Sequence, residues 1–221
     1  MPTPKVKAEA KPRRPQYDLG RAARALRRAD PELGAWIAEV GACRLELRPS
    51  VEPLPTLVRT IVYQQLSGKA AQTIHGRALA ALGGPLDAER LRATPVRRLR
   101  SAGLSRAKVA ALHDLAAKVL DGTVPGARVL ARLDDESVIE RLCAVRGIGR
   151  WSAEMFLMFS MGRPDVISVG DLGLRRGFER VFGMTRQPAA RTFERRAERW
   201  RPWRTVACWY LWRAADDEEF W

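Results

Sequence analysis

From Tyr17 onward, apolar residues recur at helical spacing along nearly the whole chain. Asp30-Pro31 supplies an N-cap and a first helical residue for a stripe of Leu33, Trp36, Ile37 and Val40. Leu45-Glu46-Leu47 alternates and predicts one short extended segment, ended by Pro53 and Pro55. Thr56 then reads as the cap of a helix with Leu57, Ile61 and Gln65 on one stripe. The next helix runs from Gly68 to Leu82 and closes at Gly83-Gly84-Pro85. Asp87 and Thr94-Pro95 start two short helices, and Ser105 caps a longer one through Leu120, closed by Asp121-Gly122. Pro125-Gly126 marks a turn, and Asp134 caps a helix from Asp135 to about Cys143. Later helices are predicted over 150–160, 172–182, 189–200 and 203–215. There is no internal repeat and no heptad array, so the predicted class is all-α.

Length and charge narrow the picture. A chain of 221 residues is long enough for one sizeable core, or for two small lobes sharing one. Residues 1–16 carry Pro2, Pro4, Pro12 and Pro15 with Lys5, Lys7, Lys11, Arg13 and Arg14, and predict a disordered basic tail ahead of a domain over 17–221. The formal net charge of +14, from 39 Lys+Arg against 25 Asp+Glu, implies a polyanionic partner: nucleic acid, or an anionic membrane surface. No apolar run reaches transmembrane length, and the N-terminus has no apolar h-region, so neither a membrane span nor a signal peptide is expected. Cys43, Cys143 and Cys208 are scattered in apolar contexts and read as buried thiols of a reducing compartment. Three cysteines cannot ligate a four-Cys iron–sulfur cluster. The expected location is the cytoplasm, at the nucleoid if the source is a prokaryote.

The most informative stretch is residues 142–153, Leu142-Cys143-Ala144-Val145-Arg146-Gly147-Ile148-Gly149-Arg150-Trp151-Ser152-Ala153. A capped helix ends at an apolar residue, a Gly-Ile-Gly turn follows, and a second helix starts at once. Glycines allow positive φ and close backbone approach. The N–H groups of the turn and of the new helix then point outward, a ready phosphate site strengthened by the helix dipole and by Arg146 and Arg150. Downstream, an extended apolar run from Pro164 reaches Asp171, 22 residues beyond Gly149, where another helix begins. Read alone, Asp171 is an ordinary N-cap. A cap and a chemical role are compatible. Asp165, in an exposed Gly-Arg-Pro-Asp turn, is the alternative carboxylate.

The hairpin resembles the helix-hairpin-helix motif. Together with Asp171 at that distance, the chain resembles the helix-hairpin-helix (HhH-GPD) DNA glycosylase superfamily over roughly residues 18–215. The resemblance implies a two-lobed helical fold with a cleft, and a partner of double-stranded DNA containing damaged bases. Asp171 would be the catalytic carboxylate, while Arg146, Gly147, Ile148, Gly149 and Arg150 would grip DNA. It also implies a structural Na+ or K+ on the carbonyls of Cys143, Val145 and Ile148, with no other cofactor required. Arg146 departs from a motif that often has Pro there.

Within the superfamily the chain is similar to the alkylpurine, 3-methyladenine II branch. That branch places a Trp where Trp151 stands, beside the base pocket. It often shows two acids before the helix, the first of which is Gly170 here. Relatives that also cut the backbone carry a nucleophilic Lys at the position of Trp151. No Lys follows Lys118 in this chain, so base excision without strand cleavage is expected. Five of the seven tryptophans are Trp200, Trp203, Trp209, Trp212 and Trp221, in a run that looks like the end of the same branch, with Trp212 at a pocket position. Most of the five are expected to be core aromatics. An aromatic face favours a cationic alkylated base by about 0.5–2 kcal/mol.

Smaller expectations follow. Glu154 lies three residues after Trp151 in an otherwise apolar helix, and either contacts the flipped base or pairs with an arginine. Met155 stands where some relatives have Tyr, which implies a wider pocket. Tyr63-Gln64-Gln65-Leu66-Ser67 also resembles the branch. Gln64 or Gln65 either faces the pocket or satisfies buried backbone. Leu82, near the turn that carries the wedge in relatives, is expected to fill the gap left by a flipped base. Arg175, Arg176, Arg186, Arg195 and Arg204 either meet phosphates or are solvated, and Gly103-Leu104-Ser105-Arg106 offers a second turn-to-helix phosphate site. The resemblance implies excision of 3-methyladenine and 7-methylguanine, and a monomer is expected because the hairpin and cleft serve one lesion at a time. The alternatives are a glycosylase for neutral lesions (hypoxanthine, uracil, ethenoadenine) with Glu154 as acid, and a noncatalytic DNA-binding module.

Overall fold

A computed structural model describes residues 13–48 and 50–215. Among these, thirteen α-helices account for the regular structure. Helices α1 (Leu19–Ala29) and α2 (Pro31–Val40) pack on each other and are joined at Asp30, whose side chain accepts the Leu33 N–H at 3.5 Å. The chain then crosses to α3 (Pro53–Tyr63), α4 (Gly68–Ala81), α5 (Ala88–Ala93), α6 (Val96–Ser101), α7 (Arg106–Leu120), α8 (Ala127–Leu130) and α9 (Asp135–Cys143). Helix α10 (Arg150–Phe156) continues into a wider π-type turn over Leu157–Met161. Helices α11 (Leu172–Val181), α12 (Ala190–Ala197) and α13 (Arg204–Ala214) return to pack on α1 and α2.

Two groups of helices result. The first and last segments of the chain build one, centred on α11 against α13, and the middle of the chain builds the other, with α7 against α3 and α5. Helix α10 is apolar nearly all round because one shared core encloses it: Ala153, Met155, Phe156, Leu157 and Met158 are all buried. This matches the all-α, two-lobed expectation.

Side-chain caps place six of the thirteen helix starts. Asp18, Asp30, Asp87, Ser105, Asp134 and Asp171 each accept a backbone N–H three residues on. Thr56 is a correction: α3 already begins at Pro53, and Thr56 is buried inside it. Prolines are tolerated in a first helical turn because the N–H they lack has no helical partner there. Residues 13–16, expected within the tail, are among the described residues and meet the domain. Arg13 pairs with Leu47 through both backbone bonds (3.0 and 2.7 Å), and its guanidinium reaches the carbonyls of Arg48 and Ser160. This bridge explains the alternation at 45–47, where Leu45 and Leu47 are buried and Glu46 is exposed. Residues 1–12 and Trp221 lie outside the described residues.

One buried ion pair holds α12 against the α1–α2 corner. Asp30 is fully buried and accepts two bonds from Arg196, both 2.8 Å, and one from the Trp200 indole at 3.0 Å. Burial alone would raise the Asp30 pKa, but the Arg196 and Trp200 bonds outweigh it and hold the carboxyl below its usual value. A carboxyl with a lowered native pKa stabilises the fold above its unfolded value, near 4, and loses that contribution as pH falls through the lower native one. Asp30→Asn should therefore cost about 3 kcal/mol at pH 7, with the gap to wild type closing below about pH 4. Urea melts at pH 7 and pH 3 check this, and a gap that does not depend on pH would contradict it.

Candidate active site

The hairpin joins α9 to α10 through a turn with Gly147 at φ +80°, a conformation that a Cβ would strain. Val145 and Ile148 bury their side chains and pin the turn to the core, while the Ile148 N–H closes on the Val145 carbonyl at 3.0 Å. The Arg146 N–H is held by Asp114 of α7 at 2.7 Å. Gln64 donates its amide to the Gly147 carbonyl at 2.8 Å. Gln64 thus satisfies hairpin backbone. Gly149 caps α10, and the space where its Cβ would point is empty. The first helical bond of α10 runs from the Ala153 N–H to the Gly149 carbonyl. The N–H groups of residues 150–152 precede that bond and have no helical partner. Arg146, Gly147, Gly149 and Arg150 are exposed around this open end. Ile148 can contribute only its backbone.

Asp171 sits at the N-terminus of α11, 7% exposed. Its N–H closes a turn on the Ser168 carbonyl at 3.0 Å. The carboxylate accepts three N–H donors: Leu174 backbone to Oδ1 at 2.7 Å, Trp212 indole to Oδ1 at 3.0 Å, and Trp151 indole to Oδ2 at 2.6 Å. Trp151 comes from the first turn of the hairpin's second helix and Trp212 from α13, so three separate elements converge on one carboxylate. Trp212 is buried against Phe159 of the π-type turn, with ring centroids 5.8 Å apart. Trp151 is 42% exposed and offers an aromatic surface to solvent beside the carboxylate. Met155 is buried on the same helix.

Several expected contacts turn out otherwise. Leu82 is only 7% exposed and belongs to the core, so it is no wedge. Leu66, in the α3–α4 turn, is exposed, as is Leu172 beside Asp171. Leu66 follows Gln65, whose φ of +57° is the one positive non-glycine value among the described residues. Nothing in the hydrophobic pattern separates Leu66 from Leu82, although its place next to Gln64 puts it by the hairpin. Arg150 does not stand ready for a phosphate: its Nη atoms grip Glu136 in a bidentate pair (2.7 and 2.8 Å), and Nε bonds Glu154 at 3.0 Å. Glu136, from α9, was not singled out by its sequence context.

Glu154 takes the arginine-pairing alternative. Its Oε1 faces Arg150, and its Oε2 accepts the Ser168 hydroxyl at 2.5 Å. Burial pushes its pKa above the usual carboxylate value, partly opposed by Ser168 and Arg150. Asp165 is bound by Arg204 and Arg201, each at 2.7 Å, which removes both Asp165 and Arg204 from the list of free functional groups. Arg175 bonds the Pro188 carbonyl, whereas Arg176, Arg186 and Arg195 are exposed. Ser105 caps α7 on the Lys108 N–H, and Leu104 is buried. Trp200 is fully buried core, and the thiols of Cys43, Cys143 and Cys208 are unbridged.

A family model described as HhH-GPD superfamily base excision DNA repair protein matches residues 58–202, which include the hairpin, Trp151 and Asp171. The chain belongs to this superfamily. Among HhH-GPD proteins it is similar to DNA-3-methyladenine glycosylase 1 of Schizosaccharomyces pombe, 34% identical over 74% of this chain and 73% of that one. Its fold is similar to a crystal structure of a DNA-3-methyladenine glycosidase from Bacillus halodurans, with a TM-score of 0.81, 38% identity, and coverage of 88% of this chain and 89% of the other. It is also similar to the S. pombe 3-methyladenine DNA glycosylase Mag1 in complex with abasic DNA, with a TM-score of 0.76, 32% identity, and coverage of 87% and 95%. Among the described residues no helix is long and apolar enough to cross a membrane.

Proposed function

We propose that this HhH-GPD protein excises alkylated purines such as 3-methyladenine and 7-methylguanine from duplex DNA, hydrolysing the N-glycosidic bond without cutting the strand. The observation that carries the reading is the Asp171 carboxylate, fixed by three donors next to the exposed Trp151 ring. Breaking the bond sends its electron pair to the departing base and leaves positive charge on C1′ and the ring oxygen. A fixed carboxylate stabilises that charge and orients the attacking water. Oδ1 already accepts two donors and Oδ2 only one, so the remaining Oδ2 lone pair is the one that serves.

Trp151 supplies an aromatic surface for a cationic base and no amine for a Schiff base, which supports both the alkylpurine preference and the lack of strand cleavage. The names of the relatives point the same way. A neutral base would require an acid, and Glu154 already has both oxygens engaged by Arg150 and Ser168. A module that only binds DNA has no use for a clamped carboxylate beside an exposed indole.

The exposed end of α10 would take a phosphate, helped by Arg146. The carbonyls of Cys143, Val145 and Ile148 would hold a monovalent cation bridging to it. Carbonyl oxygens suit such an ion, and Val145 keeps one lone pair after accepting the Ile148 N–H. Leu66, exposed in the α3–α4 turn, would fill the gap left by the flipped base. We place the protein in the cytoplasm, at the DNA, as a monomer.

Incubation with methylated duplex DNA tests the reading. Free 3-methyladenine should be released, and strand nicks should appear only after alkali. Release of hypoxanthine or uracil instead would select the neutral-lesion alternative. Binding without release of any base would select the noncatalytic one, and nicking before alkali would overturn monofunctionality.

A further inference from the structure

Segment 164–171 has no regular structure, yet it must deliver Asp171 to a fixed place. Its first half is tied to α13: the Val166 N–H donates to the Thr205 hydroxyl at 3.1 Å, and the Thr205 N–H donates to the Pro164 carbonyl at 3.0 Å. Its second half is tied to α10 at two points, the Ser168 hydroxyl on Glu154 and the Asp171 carboxylate on Trp151. Ser168 is fully buried, and its hydroxyl gives Glu154 the 2.5 Å bond described above, while its carbonyl receives the Asp171 N–H. Between Ser168 and Asp171 the chain passes Gly170, exposed and with no heavy atom within 4 Å of where a Cβ would sit. This is the loosest point of the run. Beside the Ser168 hydroxyl, the turn before Asp171 is held by the packing of Ile167 and Val169 on the core, by the Ser168 backbone against Cys208, and by the carboxylate's own bonds.

Glu154 is an unusual residue for this helix. Its neighbours Ser152, Ala153, Met155 and Phe156 are buried with it, and a carboxylate in such surroundings is costly unless its bonds are complete. Both oxygens are used: one by Arg150 at the open end of the helix and one by Ser168 at the base of the Asp171 turn. The residue next to Arg150 is Trp151, which holds Asp171 directly. Helix α10 therefore reaches Asp171 by two routes, an indole to the carboxylate and a carboxylate to the turn beneath it.

We propose that Glu154 and Ser168 form a positioning strut for Asp171: Glu154 fixes Ser168, and Ser168 fixes the turn that aims the carboxylate at the sugar. This rests on the reading of Asp171 as the carboxylate that works on the sugar. In this role both act through Asp171, with their own bonds made within the protein. Misplacing a reacting group by about 1 Å is enough to cost on the order of 100-fold in the chemical step. The strut should thus appear in the rate of chemistry and not in DNA affinity.

The test is single-turnover excision of 3-methyladenine from duplex DNA, beside the affinity for a duplex holding an abasic-site analogue. Both are measured for Ser168→Ala, Ser168→Thr, Glu154→Gln, the Glu154→Gln/Ser168→Ala double variant and Asp171→Asn. Ser168→Ala is expected to slow excision by about 10- to 100-fold, with affinity within about threefold of wild type. Ser168→Thr keeps the hydroxyl and should recover most of the rate. The double variant should be no slower than the slower single one, because both changes break the same bond. If Glu154→Gln fails to fold, the two Ser168 variants decide alone. Ser168→Ala at the wild-type rate, a loss that falls equally on affinity, equal losses for Ser168→Thr and Ser168→Ala, or multiplying losses in the double variant would each overturn the strut. An inactive Asp171→Asn beside a fully active Ser168→Ala overturns the strut alone. A fully active Asp171→Asn overturns the underlying role of Asp171, and the strut with it.

Discussion

Asp171→Asn should reduce single-turnover base release by about 1,000-fold while leaving the fold and the affinity for abasic DNA nearly unchanged. The substitution is well suited to the site. The asparagine carbonyl can take the place of Oδ1 and keep the bonds from Leu174 at 2.7 Å and Trp212 at 3.0 Å, so the cap of α11 survives. The amide nitrogen then stands where Oδ2 accepted Trp151, donor facing donor. Trp151 is 42% exposed and has room to turn away. What is lost is the negative charge opposite the developing oxocarbenium. Alanine would be a poorer choice, because it also removes the cap, at about 1 kcal/mol. Base release and melting temperature, measured together, separate the two effects. A variant that retains a tenth or more of the wild-type rate would mean that another group carries the charge stabilisation.

The largest effect on stability should come from Gly177. A Cβ added there would lie 1.9 Å from the carbonyl oxygen of Leu211 and 2.7 Å from its carbon, so the obstacle is backbone and cannot rotate aside. Helices α11 and α13 cross in direct contact at this point, and Gly177 is the residue that lets them do so. Gly177→Ala has to push the two apart, at about 3 kcal/mol, or about 10 °C in melting temperature for a chain of this size. The same two helices carry Asp171 at the start of α11 and Trp212 on α13, so activity should fall even at temperatures where the variant stays folded. Gly76→Ala in α4 is the control. Nothing lies within 4 Å of its Cβ position, and the change should leave stability equal or raised by about 0.5–1 kcal/mol. Gly177→Ala melting with the wild type would show that the crossing has slack that the distances do not reveal.

How much of this was legible beforehand follows the range of the interactions. The helix starts at Asp30, Asp87, Ser105, Asp134 and Asp171 could be read from the sequence because a cap bonds a backbone N–H only three residues away. The hairpin was legible for the same reason: Gly147, Gly149 and the buried Val145 and Ile148 specify a local turn. The spacing of Asp171 and the Trp at 151 then pointed to the superfamily. The partners of the carboxylate were not legible in this way. Trp212 reaches Asp171 across 41 residues, and Arg196 reaches Asp30 across 166.

Where the sequence reading erred, a local pattern was compatible with two environments and tertiary packing chose between them. Leu82 and Leu66 both flank helix α4, and the way that helix rolls onto the core buries the first and exposes the second. Arg150 looked free because the two carboxylates that occupy it come from another helix and from one turn further along its own. Gln64 carries the same amide whether it faces a base or the Gly147 carbonyl. Gly177 reads as one more glycine in a helix until α13 is laid against it. By itself, then, the sequence determined most of the helices, the hairpin and the cap at Asp171, because each is written in contacts a few residues long. Only the tertiary structure decided which donors hold that carboxylate and which side chains remain exposed, because those contacts form only after distant helices pack.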